Sequence, residues 1–313
     1  MEKIEVIIRA RPQTITEIST KETPLTYTQT VSPLDLQNET QHKHSSFLEI
    51  LKNFPLFFPP ETQTKTIFDL IVLKYLKSWS EGFNVSLFMY GQTGTGKTYT
   101  ILGDFQQKGV LYLSIEEIMG SIGKLNDLKC SYIEIYNDNI YDLLSENIGV
   151  SLSLNEDATT KEFFIKDVVM IEIKCLEGVE EIIKQGEKNR HYAETMYNHC
   201  SSRSHTIFRF SYKKNNGERC FFNFVDLAGS ERISTEPDDL KKCKGTLIPE
   251  TKSINKSLFF LTHVITMLAK GETNYKLIPY RNSPLTKLLR HFSFFLFDLF
   301  IYIDHLWLEM LKN

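Results

Sequence analysis

The segment from Gly91 to Thr98 constrains the fold of this chain more than any other, because its sequence GQTGTGKT fits the pattern G-x-x-x-x-G-K-S/T. The preceding residues 85–90, VSLFMY, read as a buried strand, and a helix can begin at Lys97. A strand that leads through a glycine loop into a helix points backbone N–H groups at an anion. Glycine is needed where the backbone approaches phosphates closely. The segment therefore predicts a nucleotide-phosphate site in an α/β fold.

Two residues of this loop have predicted chemical roles. Lys97 is expected to reach the β- and γ-phosphates, and the Thr98 hydroxyl is expected to ligate Mg²⁺. The loop alone does not distinguish ATP from GTP. The predicted phosphate loop comprises Gly91, Gln92, Thr93, Gly94, Thr95, Gly96, Lys97 and Thr98.

Two later segments carry residues that suit the same site. Residues 198–205, NHCSSRSH, place two adjacent hydroxyls and an arginine before a predicted strand, which suits a loop that closes over Mg²⁺ and the γ-phosphate. An ordinary polar turn is the alternative. The apolar run 221–225 ends at Asp226, which can hold Mg²⁺ through water, and Gly229 follows with an N–H for the γ-phosphate. A local turn is again the alternative for this segment, but three such segments in order favour one triphosphate site.

Composition excludes several classes of protein. The 313 residues are 42% hydrophobic and 12% aromatic, which is enough for a sizeable core, and the net charge of −3 gives no general attraction to nucleic acid. Five scattered cysteines without C-x-x-C spacing argue against zinc and disulfides and favour reduced cytosolic thiols. The strand-like start at residues 3–8 leaves no room for a signal peptide. The apolar stretch 292–311 contains four ionisable residues, so we do not expect a membrane span.

Periodicity predicts strands interleaved with helices. An Asn-Asn-Gly turn at 215–217 predicts a hairpin. The fold class is therefore α/β, with a mixed central sheet of the P-loop NTPase type and helices on both faces. Helices are predicted at 66–79, 176–188 and 253–269, strands at 1–12, 129–136, 205–212 and 219–225, and a loop-rich insertion at 13–53.

The motifs GQTGTGKT, NHCSSRSH and DLAGSER together resemble the phosphate loop and the two switch segments of the kinesin motor domain. The resemblance runs from about residue 4 to residue 291, and over residues 186–192 it is closest to the centromere-associated subclass. Residues 255–258, NKSL, lack the acid of a guanine-reading Asn-Lys-x-Asp motif, so ATP with Mg²⁺ is implied. The resemblance implies a microtubule-stimulated ATPase that acts as a motor head. Further matching segments are RARP at 9–12, YIEIYN at 132–137, INKSL at 254–258 and IPYRNSPLT at 278–286.

The resemblance also implies roles for individual residues. Arg9, Arg11 and Pro12 would border the adenine, and Tyr99 would stack on its other side. The alternative for the two arginines is a pair of solvated charges beside an edge strand. Asn255, near the predicted helix start, would either contact the switches or satisfy free N–H groups.

In the implied hydrolytic centre, Arg203 and Glu231 pair across the two switches, and Glu231 relays a proton from the attacking water. Gly229 is the implied hinge that converts loss of the γ-phosphate into movement of the helix from about residue 253. The implied catalytic set is Lys97, Ser202, Arg203, Gly229 and Glu231, and the implied metal set is Thr98, Ser202 and, through water, Asp226.

Positive charge is concentrated between residues 241 and 290, with ten basic residues against two acidic ones. This imbalance favours an anionic protein partner, and the resemblance identifies it as the microtubule; a solvated helix face is the alternative. Nucleic acid is not expected, because the cluster lacks interleaved aromatics. The implied location is the cytoplasm and the microtubule cytoskeleton, with the spindle or kinetochore compatible with the subclass. The implied microtubule contacts are Lys252, Lys256, Lys276, Arg281, Lys287 and Arg290.

The resemblance ends after His291, so we expect a motor-like domain at 1–291 and a divergent hydrophobic tail at 292–313. Residues 297–303 supply a substitute strand in one interpretation. In the other, which the abrupt change in composition favours, the tail is aberrant sequence and the C-terminal end of the sheet is incomplete. Without a recognisable neck linker or heptads, dimerisation is not encoded here. Two alternatives to a motor then remain. One is a nucleotide-dependent microtubule-binding module without motility, and the other is a non-functional truncated product.

Overall fold

The structure of this chain is a computed structural model that describes residues 3–10, 56–120, 125–159, 161–197, 201–231, 247–270, 272, 274, 276–290 and 296–303. Arg11, Pro12 and the whole of the predicted insertion at 13–53 lie outside these residues.

The described part of the chain is organised around one mixed sheet. Its strands follow the order β2-β1-β12-β3-β11-β10-β4-β5-β6, with β9 beside β4, and β7 and β8 form a separate hairpin. Pairing is parallel from β2 to β11 and antiparallel from β11 to β6. The strands are β1 Lys3–Ala10, β2 Leu56–Phe58, β3 Val85–Gly91, β4 Lys129–Tyr136, β5 Asn139–Asp142, β6 Ser151–Leu152, β7 Leu154–Glu156, β8 Phe163–Ile165, β9 Ile171–Glu172, β10 His205–Lys213, β11 Arg219–Asp226 and β12 Leu296–Ile303.

Helices cover both faces of this sheet, as the sequence predicts. Helix α1 joins two α-helical segments through a π-helical segment, and short 3₁₀ turns precede β10 and α6. The helices are α1 (Thr64–Ile67, Phe68–Val72 and Leu73–Ser80), α2 Lys97–Leu102, α3 Val110–Gly120, α4 Leu176–Tyr197, α5 Leu247–Ala269 and α6 Pro284–Arg290, and the 3₁₀ turns are Ser201–Arg203 and Tyr280–Asn282.

Two apolar clusters, one on each face, form the core. The first packs α1, α3 and α4 on the sheet around Trp79, which is fully buried against Phe210 and Phe222. The second packs α5 and α6 on the opposite face. Strand β10 serves both, because Phe208 and Phe210 point into the first cluster and Ile207 into the second. This double burial explains why the central strands have nearly continuous apolar runs.

Most predicted elements are confirmed, with shifted boundaries. The hairpin around residues 215–217 is present as β10 and β11. Helix α4 continues nine residues beyond the predicted end at 188, and α5 begins at Leu247, six residues before the predicted start. Asn255 therefore lies inside α5, so the interpretation that it satisfies free N–H groups at the helix start is wrong.

The tail contributes a strand to the centre of the sheet. Strand β12, Leu296–Ile303, pairs in parallel with β1 on one side and with β3 on the other. The substitute-strand interpretation thus describes the fold of these residues, and the sheet is continuous at this position. None of the helices in the described residues is both long and apolar enough to cross a bilayer.

Candidate functional site

The phosphate loop connects β3 to α2 at the centre of the sheet. Gly94 and Gly96 have φ angles of +79° and +97°, a left-handed conformation that favours glycine. A Cβ added at either residue would meet no atom within 4 Å, so the space above the loop is open. The backbone thus forms an open cradle of the kind a polyphosphate requires.

Lys97 lies under this loop with its side chain buried. Its ammonium donates to the carbonyl oxygens of Gly91 at 2.9 Å and Gln92 at 2.7 Å. Burial lowers the pKa of Lys97, while the negative charges of Asp226 and Glu231 oppose that shift. Lys97, the residue predicted to bind the phosphates, is therefore already at the loop, where backbone carbonyl oxygens hold its ammonium group.

Asp226 lies beside the loop, because β11 pairs with β3 and places Asp226 opposite Met89. The Thr98 hydroxyl donates to Asp226 Oδ2 at 2.5 Å. The other oxygen, Oδ1, is buried and accepts no hydrogen bond from the described residues. Burial raises the pKa of Asp226, and the charge of Arg190 and the Thr98 hydrogen bond act against it. A hydroxyl and a buried carboxylate oxygen with spare acceptor capacity fit a Mg²⁺ ion and its water.

The second and third predicted segments meet at this loop. The Gly229 N–H donates to the Ser202 carbonyl oxygen at 2.8 Å, and the Ser230 N–H donates to the Gly91 carbonyl oxygen at 3.0 Å. Ser202 and Arg203 lie in the 3₁₀ turn directly before β10. Segments more than a hundred residues apart in the sequence thus share one site.

Glu231 contacts the phosphate loop through Thr93. One carboxylate oxygen accepts from the Thr93 N–H at 2.8 Å, and the other accepts from the Thr93 hydroxyl. Burial favours a higher pKa for Glu231, but these hydrogen bonds and the charge of Lys97 outweigh it, so its pKa is lowered. The carboxylate is ionised and held on Thr93 in this arrangement. The pairing of Arg203 with Glu231 stays a prediction.

On the predicted adenine side, Arg9 is buried and lies over the Tyr99 ring at 5.7 Å from its centroid. Its guanidinium donates to the Thr100 hydroxyl at 2.5 Å and to the Thr62 carbonyl oxygen at 3.2 Å. For Arg9 the solvated-charge alternative is wrong, since β1 lies between β2 and β12. The Tyr99 hydroxyl donates to Gln107 Oε1 at 3.2 Å. The adenine-bordering roles stay predictions.

A buried ionic cluster that was not predicted from the sequence lies behind the second segment, residues 198–205. Arg190 on α4 lies 3.6 Å from Glu134 on β4, and both side chains are almost fully buried. Arg190 also donates to the Ser204 hydroxyl at 3.4 Å, while the Tyr132 hydroxyl donates to Glu187. Glu134 interrupts an apolar strand, and that was the signal that could have revealed it. The cluster fixes α4 where it leads into residues 198–204.

Close packing of α4 against β4 explains the presence of Gly186, which directly precedes Glu187 on α4. A Cβ at Gly186 would lie 2.3 Å from Cδ1 of the Tyr132 ring, so only glycine lets α4 approach β4 this closely.

Three of the predicted partner residues converge on one aromatic ring. Arg281, Lys287 and Arg290 place their cationic groups 5.5, 5.9 and 5.8 Å from the Phe163 ring centroid. Glu156 lies 2.6 Å from Arg281 and 3.6 Å from Arg290. The structure therefore gathers these cations on one surface formed by α6, the preceding 3₁₀ turn and the β7–β8 hairpin.

The other predicted partner residues lie apart from that ring. Lys256 on α5 forms an ion pair with Asp138 at 3.1 Å, and Lys276 is exposed. The side chain of Lys252 lies outside the described residues.

A strand–loop–helix cradle, a metal-competent acid and two converging segments define a P-loop nucleotide-binding protein built on a mixed sheet. The family model of the kinesin motor domain matches residues 9–293, so the chain belongs to that family.

Individual relatives agree with this assignment. The chain is 34% identical over 302 residues to human centromere-associated protein E, covering 92% of this chain and 11% of that protein. It is 33% identical to the kinesin heavy chain of Strongylocentrotus purpuratus, covering 92% of this chain and 27% of the relative. The chain thus spans a small part of these two proteins.

Solved structures show the same fold. The structure of a fast kinesin matches with a TM-score of 0.74 and 28% identity, covering 96% of this chain and 85% of that one. The motor and motor homology domain of Kar3Vik1 matches with a TM-score of 0.70 and 28% identity, covering 99% of this chain and 83% of that one.

Proposed function

We propose that this chain is an ATP-hydrolysing microtubule motor head, in which turnover of ATP with Mg²⁺ changes the grip on the microtubule and drives movement. The observation that carries the proposal is the pair of backbone hydrogen bonds from Gly229 to Ser202 and from Ser230 to Gly91, at 2.8 and 3.0 Å. They join both switch segments to the phosphate loop, so one ligand can contact all three.

Nucleotide binding begins with the phosphate loop. The Lys97 ammonium exchanges the carbonyl oxygens of Gly91 and Gln92 for phosphate oxygens, which carry more charge. The hydroxyls of Thr98 and Ser202 would hold Mg²⁺, and Asp226 would support it through water. When bound, Mg²⁺ neutralises charge on the β- and γ-phosphates.

Hydrolysis requires Glu231 to leave Thr93. In the structure both Glu231 oxygens accept hydrogen bonds from Thr93, which lowers the pKa and makes the carboxylate a weak proton acceptor. Closure of the third segment, which carries Gly229 and Glu231, onto Arg203 would free Glu231 to orient the attacking water and relay its proton. The Gly229 N–H, which now donates to Ser202, would turn to the γ-phosphate.

The partner surface lies on the sheet face that carries α5 and α6. Arg281, Lys287 and Arg290 surround Phe163, with Glu156 as the nearest counter-charge. Such a surface suits an acidic protein lattice, and the binding should weaken with salt. We therefore place the chain on the microtubule cytoskeleton, and association with the spindle or kinetochore is the finer proposal.

Steady-state ATP hydrolysis, measured with and without stabilised microtubules, tests the proposal. We expect Mg²⁺-dependent turnover that microtubules stimulate and that high salt returns to the basal rate. Lys97→Ala should abolish turnover, whereas the matched control Lys108→Ala, which removes an exposed ion pair with Glu116, should not. Microtubule co-sedimentation that depends on nucleotide, without turnover, would instead support a binding module without motility.

A further inference from the structure

His205 connects the nucleotide site to helix α5 through a buried chain of hydrogen bonds. The His205 ring is 3% exposed and lies at the start of β10. Its Nδ1 atom is 2.9 Å from the Ala228 backbone nitrogen, and its Nε2 atom is 2.8 Å from the Ser257 hydroxyl oxygen. The Ser257 hydroxyl is in turn 2.8 Å from the Ile254 carbonyl oxygen.

The donor and acceptor of each hydrogen bond in this series follow from the two backbone groups at its ends. A backbone N–H can only donate, so Nδ1 of His205 accepts from Ala228 and the ring proton lies on Nε2. The Ile254 carbonyl can only accept, so the Ser257 hydroxyl donates to it and accepts from Nε2. Burial lowers the pKa of His205 to about 4, which keeps the ring in the neutral form that this arrangement requires.

The first end of this chain lies in the segment that contacts the other nucleotide elements. Leu227 donates its N–H to the Met89 carbonyl oxygen at 3.2 Å, and Gly229 donates to the Ser202 carbonyl oxygen at 2.8 Å. Ala228 lies between them and donates to His205. A shift of Gly229 toward a γ-phosphate would therefore also displace the neighbouring Ala228 N–H, which donates a hydrogen bond to the imidazole.

The second end lies on α5, whose outer surface carries charge. Ser257 is buried on the inner side of the helix, next to Lys256 on the exposed side. If Ala228 moves and His205 does not follow, a buried N–H and a buried ring nitrogen lose their partners, which is unfavourable. Joint movement of Ala228, the imidazole and Ser257 avoids that loss.

We propose that His205 is a positioning residue that transmits movement of the Ala228–Gly229 segment to helix α5, and so couples the bound nucleotide to the affinity for the acidic partner. The inference deepens the proposed function and rests on it for the identity of the partner. It assigns a role to a residue that no predicted site includes. These hydrogen bonds are separate from the covalent connection through residues 232–246, so a substitution can remove them while the polypeptide stays intact.

Two variants break the same bond from opposite sides. His205→Asn keeps an acceptor near the position of Nδ1 but is too short to reach Ser257, and Ser257→Ala removes the hydroxyl. Ser114→Ala is the matched control, because the Ser114 hydroxyl is also buried and donates to a carbonyl of its own helix, at 2.6 Å, on the opposite sheet face. Ser257→Thr keeps the hydroxyl and is the conservative variant.

The first readout is the ratio of microtubule dissociation constants with ADP and with a non-hydrolysable ATP analogue. Allosteric ratios of this kind typically lie between about 5 and 150. We expect His205→Asn and Ser257→Ala to bring the ratio close to one and the double variant to have no further effect, since both remove one interaction. Ser114→Ala and Ser257→Thr should keep the parental ratio. A parental ratio in both relay variants would overturn the proposal.

The second readout needs no microtubules. Hydrogen exchange of the α5 amides at 254–258 is compared between the ADP and analogue states, with nucleotide occupancy checked by a fluorescent nucleotide. We expect a nucleotide-dependent difference in the parent that His205→Asn loses while nucleotide stays bound. An unchanged difference in that variant, or none in the parent, would contradict the relay. A parent with this difference but without microtubule stimulation would instead reject the proposed function.

Discussion

Replacing Gly229 by alanine tests whether the close packing of Gly229 against Glu231, within the second switch segment, is needed for catalysis. An added Cβ would lie 2.3 Å from the Thr93 hydroxyl oxygen and 2.4 and 2.5 Å from the two Glu231 carboxylate oxygens. Ordinary contact needs roughly 3.4 Å or more, so the carboxylate must retreat by about 1 Å. That retreat stretches the 2.8 Å hydrogen bond from the Thr93 N–H beyond hydrogen-bonding distance.

The consequences for stability and for turnover differ in size. One hydrogen bond to a partly exposed carboxylate is worth about 1 kcal/mol, so Gly229→Ala should fold and melt a few degrees lower at most. The added methyl group also travels with the segment when it closes on the γ-phosphate, and a misplacement of about 1 Å of Glu231 in that closed position should lower kcat by about a hundredfold or more. Nucleotide affinity should change less, because Gly94, Gly96 and Lys97 keep their places.

Single-turnover ATP hydrolysis, together with fluorescent-nucleotide binding, separates these effects. Gly120→Ala is the matched control, because a Cβ there meets no atom within 4 Å. If Gly229→Ala hydrolyses ATP within about threefold of the parent, the packing of Glu231 against Gly229 does not control catalysis and the reasoning fails.

Four further predictions concern catalysis, pH, packing and the partner surface. Glu231→Ala should bind ATP like the parent but nearly stop turnover, and equal rates in a burst assay would refute its role. The pKa of His205 is about 4 in the folded chain and ordinarily 6.5, so the unfolded chain binds more protons between these two pH values. The free energy of unfolding of the parent should therefore fall on acidification, by about 2 kcal/mol at pH 5. His205→Asn should not show this loss. Thermal melts at pH 7.5 and pH 5 measure this, and equal losses in both proteins would contradict it. Gly186→Ala forces a Cβ within 2.3 Å of the buried Tyr132 ring and should cost about 1–3 kcal/mol in a urea titration, whereas a neutral result would mean that α4 can move away freely. Glu156→Gln removes one negative charge beside Arg281 and Arg290 and should tighten microtubule binding at low salt, with co-sedimentation as the assay and weaker binding as the contrary outcome.

The phosphate loop and the sheet could be predicted from the sequence because their signals are local. Gly94 and Gly96 encode their own left-handed conformations, and runs such as residues 129–136 alternate with the strand period. The hairpin between β10 and β11 likewise followed from its turn residues. The convergence of the three segments was expected from their residue types and their order in the sequence, and the family resemblance supported it.

What the sequence could not reveal depends on contacts between distant residues. The Arg190–Glu134 pair and the hydrogen bonds of His205 join elements that are far apart in the chain. A charge inside an apolar strand marks Glu134 as unusual, but nothing local identifies Arg190 as its partner. Helix α5 begins at Leu247, before its periodic apolar stripe, so periodicity alone did not give its first residue. Strand β12 was hard to recognise for a similar reason, since a short apolar run becomes a strand only between two partners.

The most direct test of the central claim is a structure of this chain with Mg²⁺ and a non-hydrolysable ATP analogue. The account predicts that Lys97, the Ser202 hydroxyl and the Gly229 N–H all contact the γ-phosphate or its metal ion, with Glu231 released from Thr93. A γ-phosphate held by the phosphate loop alone, with Ser202 and Gly229 still bonded to each other and remote from it, would contradict the account.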